Sequence, residues 1–264
     1  MNKDRSKSEA LIKNVEKLGM KAIFLTVDAA GRGKRESDER LKTDEVVINP
    51  ITGQRVEPGK GGGLTQIMGS YFDQGMTWEV IEWIRGLTNL PIILKGITNA
   101  EDAKLAMKYK VDGVLLSNHG GRNLDFAPPS VLLLLEMHKQ CPEIFDQMEV
   151  YVDGGIRRGG DIIKALCLGA KAVGIGRTFL YSLAYGTEGA EHLVHSKSAS
   201  PAGRKDIADS VLVLKDEMES VMRLIGIKDL SEVHPGLVNT SDVDHLVPAT
   251  PDHPYARWRP KSRL

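Results

Sequence analysis

A histidine that could accept a proton lies in the segment Ser-Asn-His-Gly-Gly-Arg at residues 117–122. Imidazole gains and loses a proton near neutral pH, and the two glycines after His119 would let a flat ligand approach the backbone closely. Arg122 could hold a carboxylate through two parallel hydrogen bonds. Asp28 ends an earlier apolar run, and its carboxylate could orient His119 and stabilise the protonated ring. The alternative is a glycine turn whose histidine is merely hydrogen-bonded.

Two glycine-rich turns are candidates for an anion site. Residues 153–159 read Asp-Gly-Gly-Ile-Arg-Arg-Gly, and residues 174–177 read Gly-Ile-Gly-Arg. Main-chain amides at a glycine turn and a helix start, joined by arginines, can bind phosphate. Each turn alone is weak evidence, because glycine turns are common, but the pair is more specific. A third spaced glycine and a following acidic residue are missing, so the second turn is not a dinucleotide-binding fingerprint.

Lys95 follows the apolar residues Ile92, Ile93 and Leu94. A buried ammonium is costly unless an anionic group lies beside it. Lys95 therefore either contacts an anion in a site or extends its charge from the strand end to solvent.

Short apolar runs precede these clusters and must position them. The predicted strands cover residues 22–27, 91–94, 113–116, 150–152 and 172–175. The predicted helices cover residues 7–18, 78–88, 100–108, 129–138, 160–168, 188–194 and 210–225. Apolar strands that alternate with helices predict an α/β fold with a parallel sheet. Because ligands bind at the carboxyl ends of such strands, we expect one site built from five loops.

Three segments interrupt this alternation. Residues 42–74 contain Asn-Pro, Pro-Gly and Gly-Gly-Gly, which predict a loop or lid. Residues 195–209 read as an atypical insert between two helices, and the proline-rich residues 248–264 read as a tail. Only five β-α units remain, whereas a closed (β/α)8 barrel needs eight.

Composition excludes several classes of protein. The 264 residues carry 35 Lys and Arg against 35 Asp and Glu, so the cationic field of a nucleic-acid-binding protein is missing. No apolar run approaches the roughly 18 residues of a membrane span, and residues 1–5 are too polar to begin a signal peptide. Cys141 and Cys167 are too few for a disulfide scaffold or a zinc site, so we expect reduced thiols and no metal.

Taken in order, the motifs resemble the FMN-dependent α-hydroxy-acid oxidase and dehydrogenase family. They are Leu-Thr-Val-Asp at 25–28, Ile-Leu-Lys-Gly at 93–96, the histidine segment at 117–122, and the turns that contain 152–159 and 174–177. Within the family, the flavocytochrome-type L-lactate dehydrogenases are most similar. The resemblance implies a TIM barrel represented by about its last five β-α units, so that residues 1–247 would be a partial FMN hydroxy-acid dehydrogenase domain.

The resemblance also implies a role for each site residue. His119 would accept the proton of the substrate hydroxyl, and Asp28 would pair with it. Arg122 would bind the substrate carboxylate, with Arg35 as a second arginine near the substrate. Residues that would hold FMN are Thr26, Lys95, Ser117, Asp153, Gly154, Gly155, Ile156, Arg157, Gly176 and Arg177. The substrate would be an L-2-hydroxy acid, with L-lactate as the first choice, and the electron acceptor either cytochrome c or oxygen. A full-length protein would be a homo-oligomer, and cytochrome-linked members are mitochondrial.

The chain also departs from the family pattern. Asn123 stands where the family has glutamine, and no sequence before Met1 supplies the first three strands or a haem-binding domain. The alternative function is therefore an inactive truncated barrel, either non-enzymatic or dependent on a partner. Its open sheet edges would favour association and weaken FMN binding. A phosphate-binding barrel isomerase or synthase is a third hypothesis, but it would not need His119, Arg122 and Asp28.

Overall fold

The computed structural model describes residues 1–29, 31, 40, 42–43, 47–48, 55–56, 59–60, 72–194 and 213–247. The strands in these residues are β1 (Ile23–Thr26), β2 (Lys42–Thr43), β3 (Val47–Ile48), β4 (Arg55–Val56), β5 (Gly59–Lys60), β6 (Ile92–Ile97), β7 (Gly113–Leu116), β8 (Glu149–Asp153) and β9 (Ala172–Gly174). The helices are α1 (Arg5–Lys17), α2 (Glu79–Arg85), α3 (Ala100–Lys108), α4 (Ser130–Gln140), α5 (Ile144–Gln147), α6 (Gly159–Cys167), α7 (Arg177–Ser182), α8 (Gly186–Val194), α9 (Val213–Ile225) and α10 (Ser241–Asp244).

Five strands form one parallel sheet in the order β1-β6-β7-β8-β9. In each case a helix lies between consecutive strands of the sheet, so every crossover returns the chain to the same end. All five carboxyl ends therefore meet along one edge. The expected α/β architecture with a parallel sheet is confirmed.

The main core lies between one face of this sheet and the helices. Leu94, Val114 and Val152 on the strands are almost completely buried, as are Ile84 on α2 and Leu134 on α4. Both faces of β7 are buried, which explains why its sequence is an apolar run without alternation. Burial of these side chains provides most of the stability of the sheet.

The opposite face of the sheet is concave. Thr26, Lys95, Leu115 and Tyr151 are register partners on β1, β6, β7 and β8, so their side chains point to the same face. The rings of Phe24 and Tyr151 lie 6.0 Å apart although two strands separate β1 from β8. Such a distance requires the sheet to curl, and the curl brings loops from distant strands toward one another.

Helix ends follow the predicted signals. Asn99 caps α3, because its Oδ1 accepts a hydrogen bond from the Asp102 amide at 2.8 Å. Gly169, with φ of +94°, ends the helical segment after α6. The prediction for α3 matches at both ends, and the other predicted helices agree to within a few residues.

The sequence prediction missed α7. This helix buries none of its residues, and Leu180 and Tyr181 are exposed, so it has no apolar stripe that periodicity could reveal. A 3-10 turn over Leu183–Tyr185 continues it, which places a helical segment where no element was predicted.

The predicted loop at 42–74 contains strand pairs. β2 pairs with β5 and β3 pairs with β4, both antiparallel, so eight residues of the predicted loop or lid form short strand pairs. Much of the proposed lid, the insert at 195–209 and the tail at 248–264 lie outside the described residues. In the part of the chain that the structure describes, no helix is both long and apolar enough to cross a membrane.

Candidate functional site

His119 and Asp28 form a hydrogen-bonded pair at the carboxyl end of the sheet. The His119 Nδ1 atom lies 3.1 Å and 3.2 Å from the two carboxylate oxygens of Asp28. The Asp28 side chain is 10% exposed and that of His119 is 28% exposed. Because Nδ1 contacts the carboxylate, Nε2 is the ring nitrogen left to act on a ligand.

The turn that carries His119 has an uncommon left-handed backbone. The φ angles of His119, Gly120 and Gly121 are +55°, +65° and +73°. For a residue with a Cβ this conformation costs about 1–2 kcal/mol, so surrounding contacts must stabilise it. The His119 amide donates to Ser117 Oγ at 3.1 Å, and the Gly121 amide donates to Asn118 Oδ1 at 3.2 Å.

Lys95 lies at the centre of a charged cluster on the concave side. Its Nζ donates to Ser117 Oγ at 3.0 Å and is 3.6 Å from Asp153 Oδ2 and 3.8 Å from Asp28 Oδ2. Asp28 is therefore shared between Lys95 and His119. Two carboxylates and one ammonium leave one net negative charge, so protonation of His119 would make the cluster neutral.

Gly96 makes room for Asp28. A Cβ at Gly96 would lie 2.5 Å from the Cβ and Cγ of Asp28, closer than side chains tolerate. Gly96 also has φ of +106°, and the register of β6 against β7 shifts there. The bulge in β6 therefore lets the Asp28 carboxylate reach both Lys95 and His119.

The start of α6 is already occupied by the protein's own carboxylates. The Arg157 and Arg158 amides both donate to Asp161 Oδ2 at 3.1 Å, and the Gly159 amide donates to Glu217 Oε2 at 2.7 Å. These amides are engaged, contrary to the expectation that the helix start binds phosphate. The amides that remain candidates belong to the preceding glycines and to the turn at Gly176.

Arg177 joins the second glycine turn to the histidine turn. Its guanidinium donates to the Gly120 carbonyl oxygen at 2.6 Å. The φ of +65° at Gly120 favours glycine, and a Cβ there would lie 2.8 Å from this guanidinium, which would have to move. Thr178 holds the start of α7 to the other turn, because its hydroxyl donates to the Ile156 carbonyl at 3.2 Å.

The remaining predicted site residues lie on several elements around the Asp28–His119 pair. Thr26 is level with Lys95 on the neighbouring strand. Gly154 packs under the histidine turn, where a Cβ would lie 2.8 Å from Asn118 Oδ1. Arg122 follows the turn and is exposed, and Arg157, which follows the other glycine turn, is also exposed. Arg35 lies outside the described residues.

Two supporting residues were not identified as such by sequence reasoning. Ser130 is buried at the start of α4, and its Oγ accepts from the Asn118 amide at 3.2 Å. Asn123 Nδ2 donates to the Asp28 carbonyl oxygen at 2.8 Å. The signal for Asn123 in the sequence is its departure from the family's glutamine.

Tyr151 is a further ionisable group on the concave side. A hydrogen bond to the Glu149 carboxylate, with some desolvation, raises the pKa of Tyr151 to about 12. The phenol therefore stays protonated at neutral pH.

Residues 1–240 match the family of FMN-dependent dehydrogenases. The chain belongs to this family. The L-lactate dehydrogenase (cytochrome) of Saccharomyces cerevisiae is 40% identical over 243 residues, which are 91% of this chain and 38% of the relative. The 2-hydroxyacid oxidase 1 of Mus musculus is 35% identical, over 89% of this chain and 61% of the relative.

Solved structures show the same fold. The recombinant flavin-binding domain of baker's yeast flavocytochrome b2 aligns with a TM-score of 0.69 and 35% identity, covering 100% of this chain and 59% of that one. Mandelate oxidase aligns with a TM-score of 0.68 and 31% identity, and the alignment covers 89% of this chain and 60% of mandelate oxidase. The chain thus spans between about two fifths and three fifths of these FMN-dependent TIM-barrel proteins.

The cofactor of the family is FMN, and the described residues fit it. Asp153 Oδ1 is buried and has no hydrogen-bond partner among the described residues, so it can accept a bond from a cofactor hydroxyl. A Cβ at Gly155 or Gly176 would meet nothing within 4 Å, which leaves backbone open to a ligand on both glycine turns. Lys95 Nζ lies 3.6 Å from Asp153 Oδ2, so it presents a cation at the first of these turns.

Proposed function

We propose that the chain acts in the FMN-dependent oxidation of an L-2-hydroxy acid to the 2-oxo acid, with L-lactate as the first substrate. The observation that carries the proposal is the Asp28–His119 pair, 3.1 Å apart, beside Lys95 at the strand ends. A carboxylate bonded to Nδ1 fixes which ring nitrogen can accept a proton. The name of the yeast relative supports L-lactate.

Each site residue then has a task. Oxidation of a hydroxyl-bearing carbon to a carbonyl removes two electrons and two protons, one proton from the hydroxyl and one from the carbon. His119 Nε2 accepts the hydroxyl proton, and Asp28 stabilises the imidazolium that forms. Arg122 binds the substrate carboxylate through its two-pronged guanidinium. FMN, when bound, would supply the acceptor for the electron pair and for the hydrogen of the hydroxyl-bearing carbon.

The residues that would hold FMN lie on the two glycine turns and on β6, together with Thr26 on β1 and Ser117 directly after β7. Lys95 balances negative charge that gathers on a reduced flavin, and the open backbone at Gly155 and Gly176 supplies amides. Arg177 lies at the start of α7 and adds a cation there. Asp153 accepts from a cofactor hydroxyl, because its Oδ1 has no other partner in the described part of the chain.

We further propose that residues 1–247 form a partial FMN hydroxy-acid dehydrogenase domain. Lys139 on α4 pairs with Asp244 at 3.0 Å and also donates to the Asp244 carbonyl at 2.7 Å. Val247 is buried against the core. These contacts support a domain that extends through α10.

The test is to purify the chain with FMN, record its visible spectrum and measure dye reduction driven by L-lactate. A matched His119→Gln variant keeps a side chain of similar length but has no basic nitrogen. We expect it to retain flavin absorbance while turnover falls about 10²- to 10⁴-fold, the usual contribution of a general base. Equal turnover in the two proteins would show that His119 is not the base.

A second candidate, a non-catalytic barrel fragment that needs a partner, is favoured by one observation. Phe24 on the concave side is 50% exposed, although aromatic side chains in a barrel interior are packed. A colourless, associated preparation without lactate-dependent dye reduction would favour this candidate. A yellow, active monomer would exclude it.

A further inference from the structure

Asp28 is held at its main chain as well as at its carboxylate. Asn123 Nδ2 donates to the Asp28 carbonyl oxygen at 2.8 Å, while His119 Nδ1 contacts the carboxylate. His119 and Asn123 are four residues apart in one loop, so this loop contacts Asp28 at two points. The backbone of Gly96 also packs against Asp28 so closely that no methyl group fits between the two residues.

These contacts restrict the position of the Asp28 carboxylate. Asp28 follows β1 in a turn, and the strand itself ends at Thr26. Beyond the strand end, the Asp28 peptide can rotate unless a side chain restrains it. The side-chain amide of Asn123 supplies that restraint, because it donates a hydrogen bond to the main-chain carbonyl of Asp28, and the Asp28 carboxylate in turn orients His119.

We propose that Asn123 is a positioning residue for the Asp28–His119 pair. The inference rests on the proposed function, in which this pair accepts the substrate proton. Asn123 acts through Asp28 and does not itself receive the proton, since an amide has no basic nitrogen. Loss of the amide would let the carboxylate leave Nδ1 and would allow the ring to adopt other orientations.

The surroundings of Asn123 make a truncated variant practical. Asn123 is half-buried and borders a cavity of about 360 Å3 that also touches Asp28, Trp78 and Leu124. An alanine at 123 would extend an existing cavity and would not open a new one in the core. Leu124→Ala enlarges the same cavity without removing a polar atom, so it is the matched control. Asn123→Gln keeps the amide and tests for rescue.

The first measurement is the proton NMR signal of His119 Nδ1, which a bond to a carboxylate moves far downfield. It needs neither bound FMN nor turnover, and the His119→Gln variant assigns it. We expect the signal in the wild type, Leu124→Ala and Asn123→Gln, and its loss or exchange broadening in Asn123→Ala. A signal missing from the wild type, or unchanged in Asn123→Ala, overturns the inference.

The second measurement is steady-state oxidation of L-lactate by the FMN-loaded chain. We expect Asn123→Ala to lower kcat about three- to tenfold, the range of one hydrogen bond, with KM within about twofold because Arg122 is untouched. Asn123→Gln should recover most of the loss. A change in KM without a change in kcat overturns the inference. An equal loss of kcat in Leu124→Ala does so as well.

The two measurements separate this inference from the proposed function. If the wild type oxidises no hydroxy acid, the proposed function fails, and the Nδ1 signal alone decides whether Asn123 positions the pair. If the wild type is active and Asn123→Ala matches it in both kcat and the Nδ1 signal, the proposed function stands and the role of Asn123 is refuted.

Discussion

Substitution of Gly96 by alanine should disrupt both the stability of the sheet and the candidate site. The added Cβ would lie 2.5 Å from two side-chain carbons of Asp28 and 2.9 Å from its main-chain nitrogen. One of these contacts is backbone, so rotation of a side chain cannot relieve the clash. Gly96 also has φ of +106°, which residues with a Cβ rarely adopt.

The expected magnitude is the sum of two effects. An unfavourable positive φ costs about 1–2 kcal/mol for a residue with a Cβ. Overpacking against neighbours that cannot move costs about 1–3 kcal/mol. The free energy of unfolding should therefore fall by about 2–5 kcal/mol, which at a denaturant slope of roughly 2–3 kcal/mol/M lowers the urea midpoint by about 0.7–2.5 M.

Gly19→Ala is the matched control. Gly19 also has positive φ, +73°, but a Cβ there would meet nothing within 4 Å, and Gly19 lies after α1, away from the site. The free energy of unfolding of Gly19→Ala should fall only by the backbone contribution of about 1–2 kcal/mol. The difference between the variants isolates the contact with Asp28.

Urea unfolding followed by circular dichroism measures the stabilities, and the His119 Nδ1 signal reports the site. We expect the signal to be lost in Gly96→Ala and kept in Gly19→Ala. Equal midpoints for the two variants, with the signal intact in both, would refute the close approach of Gly96 to Asp28.

Two further predictions concern the substrate arginine and the thiols. Replacing Arg122 by lysine should lower kcat/KM for L-lactate about 10- to 100-fold, because one ammonium cannot reproduce a two-pronged bond to a carboxylate; unchanged initial-rate kinetics would remove Arg122 from the site. Cys141 and Cys167 are buried free thiols, and desolvation raises the pKa of Cys141 to about 11 and raises that of Cys167 as well. Since thiolates are the reactive form, a thiol-specific chromogenic reagent at pH 8 should modify neither in the folded chain and both after unfolding; rapid modification of the folded protein would contradict this burial.

Local sequence patterns were sufficient to predict the fold class and the end of the sheet that carries the site. Apolar runs and capping residues are local signals, because strand and helix periods repeat within a few residues. They located the five parallel strands and the cap at Asn99. The expectation that Asp28 lies beside His119 also followed from topology, since parallel strands bring their carboxyl ends together.

Tertiary structure decided which atoms in those loops meet. Arg177 reaches Gly120 across 57 residues, Glu217 reaches the Gly159 amide across 58, and Asn123 reaches the Asp28 carbonyl across 95. No periodic pattern encodes such contacts, because they depend on the curl of the sheet and on the bulge at Gly96. The same limit explains α7, whose residues are all at least partly exposed and so follow no core-facing pattern. Local sequence therefore determines where each loop begins, and the shape of the sheet determines which loops touch.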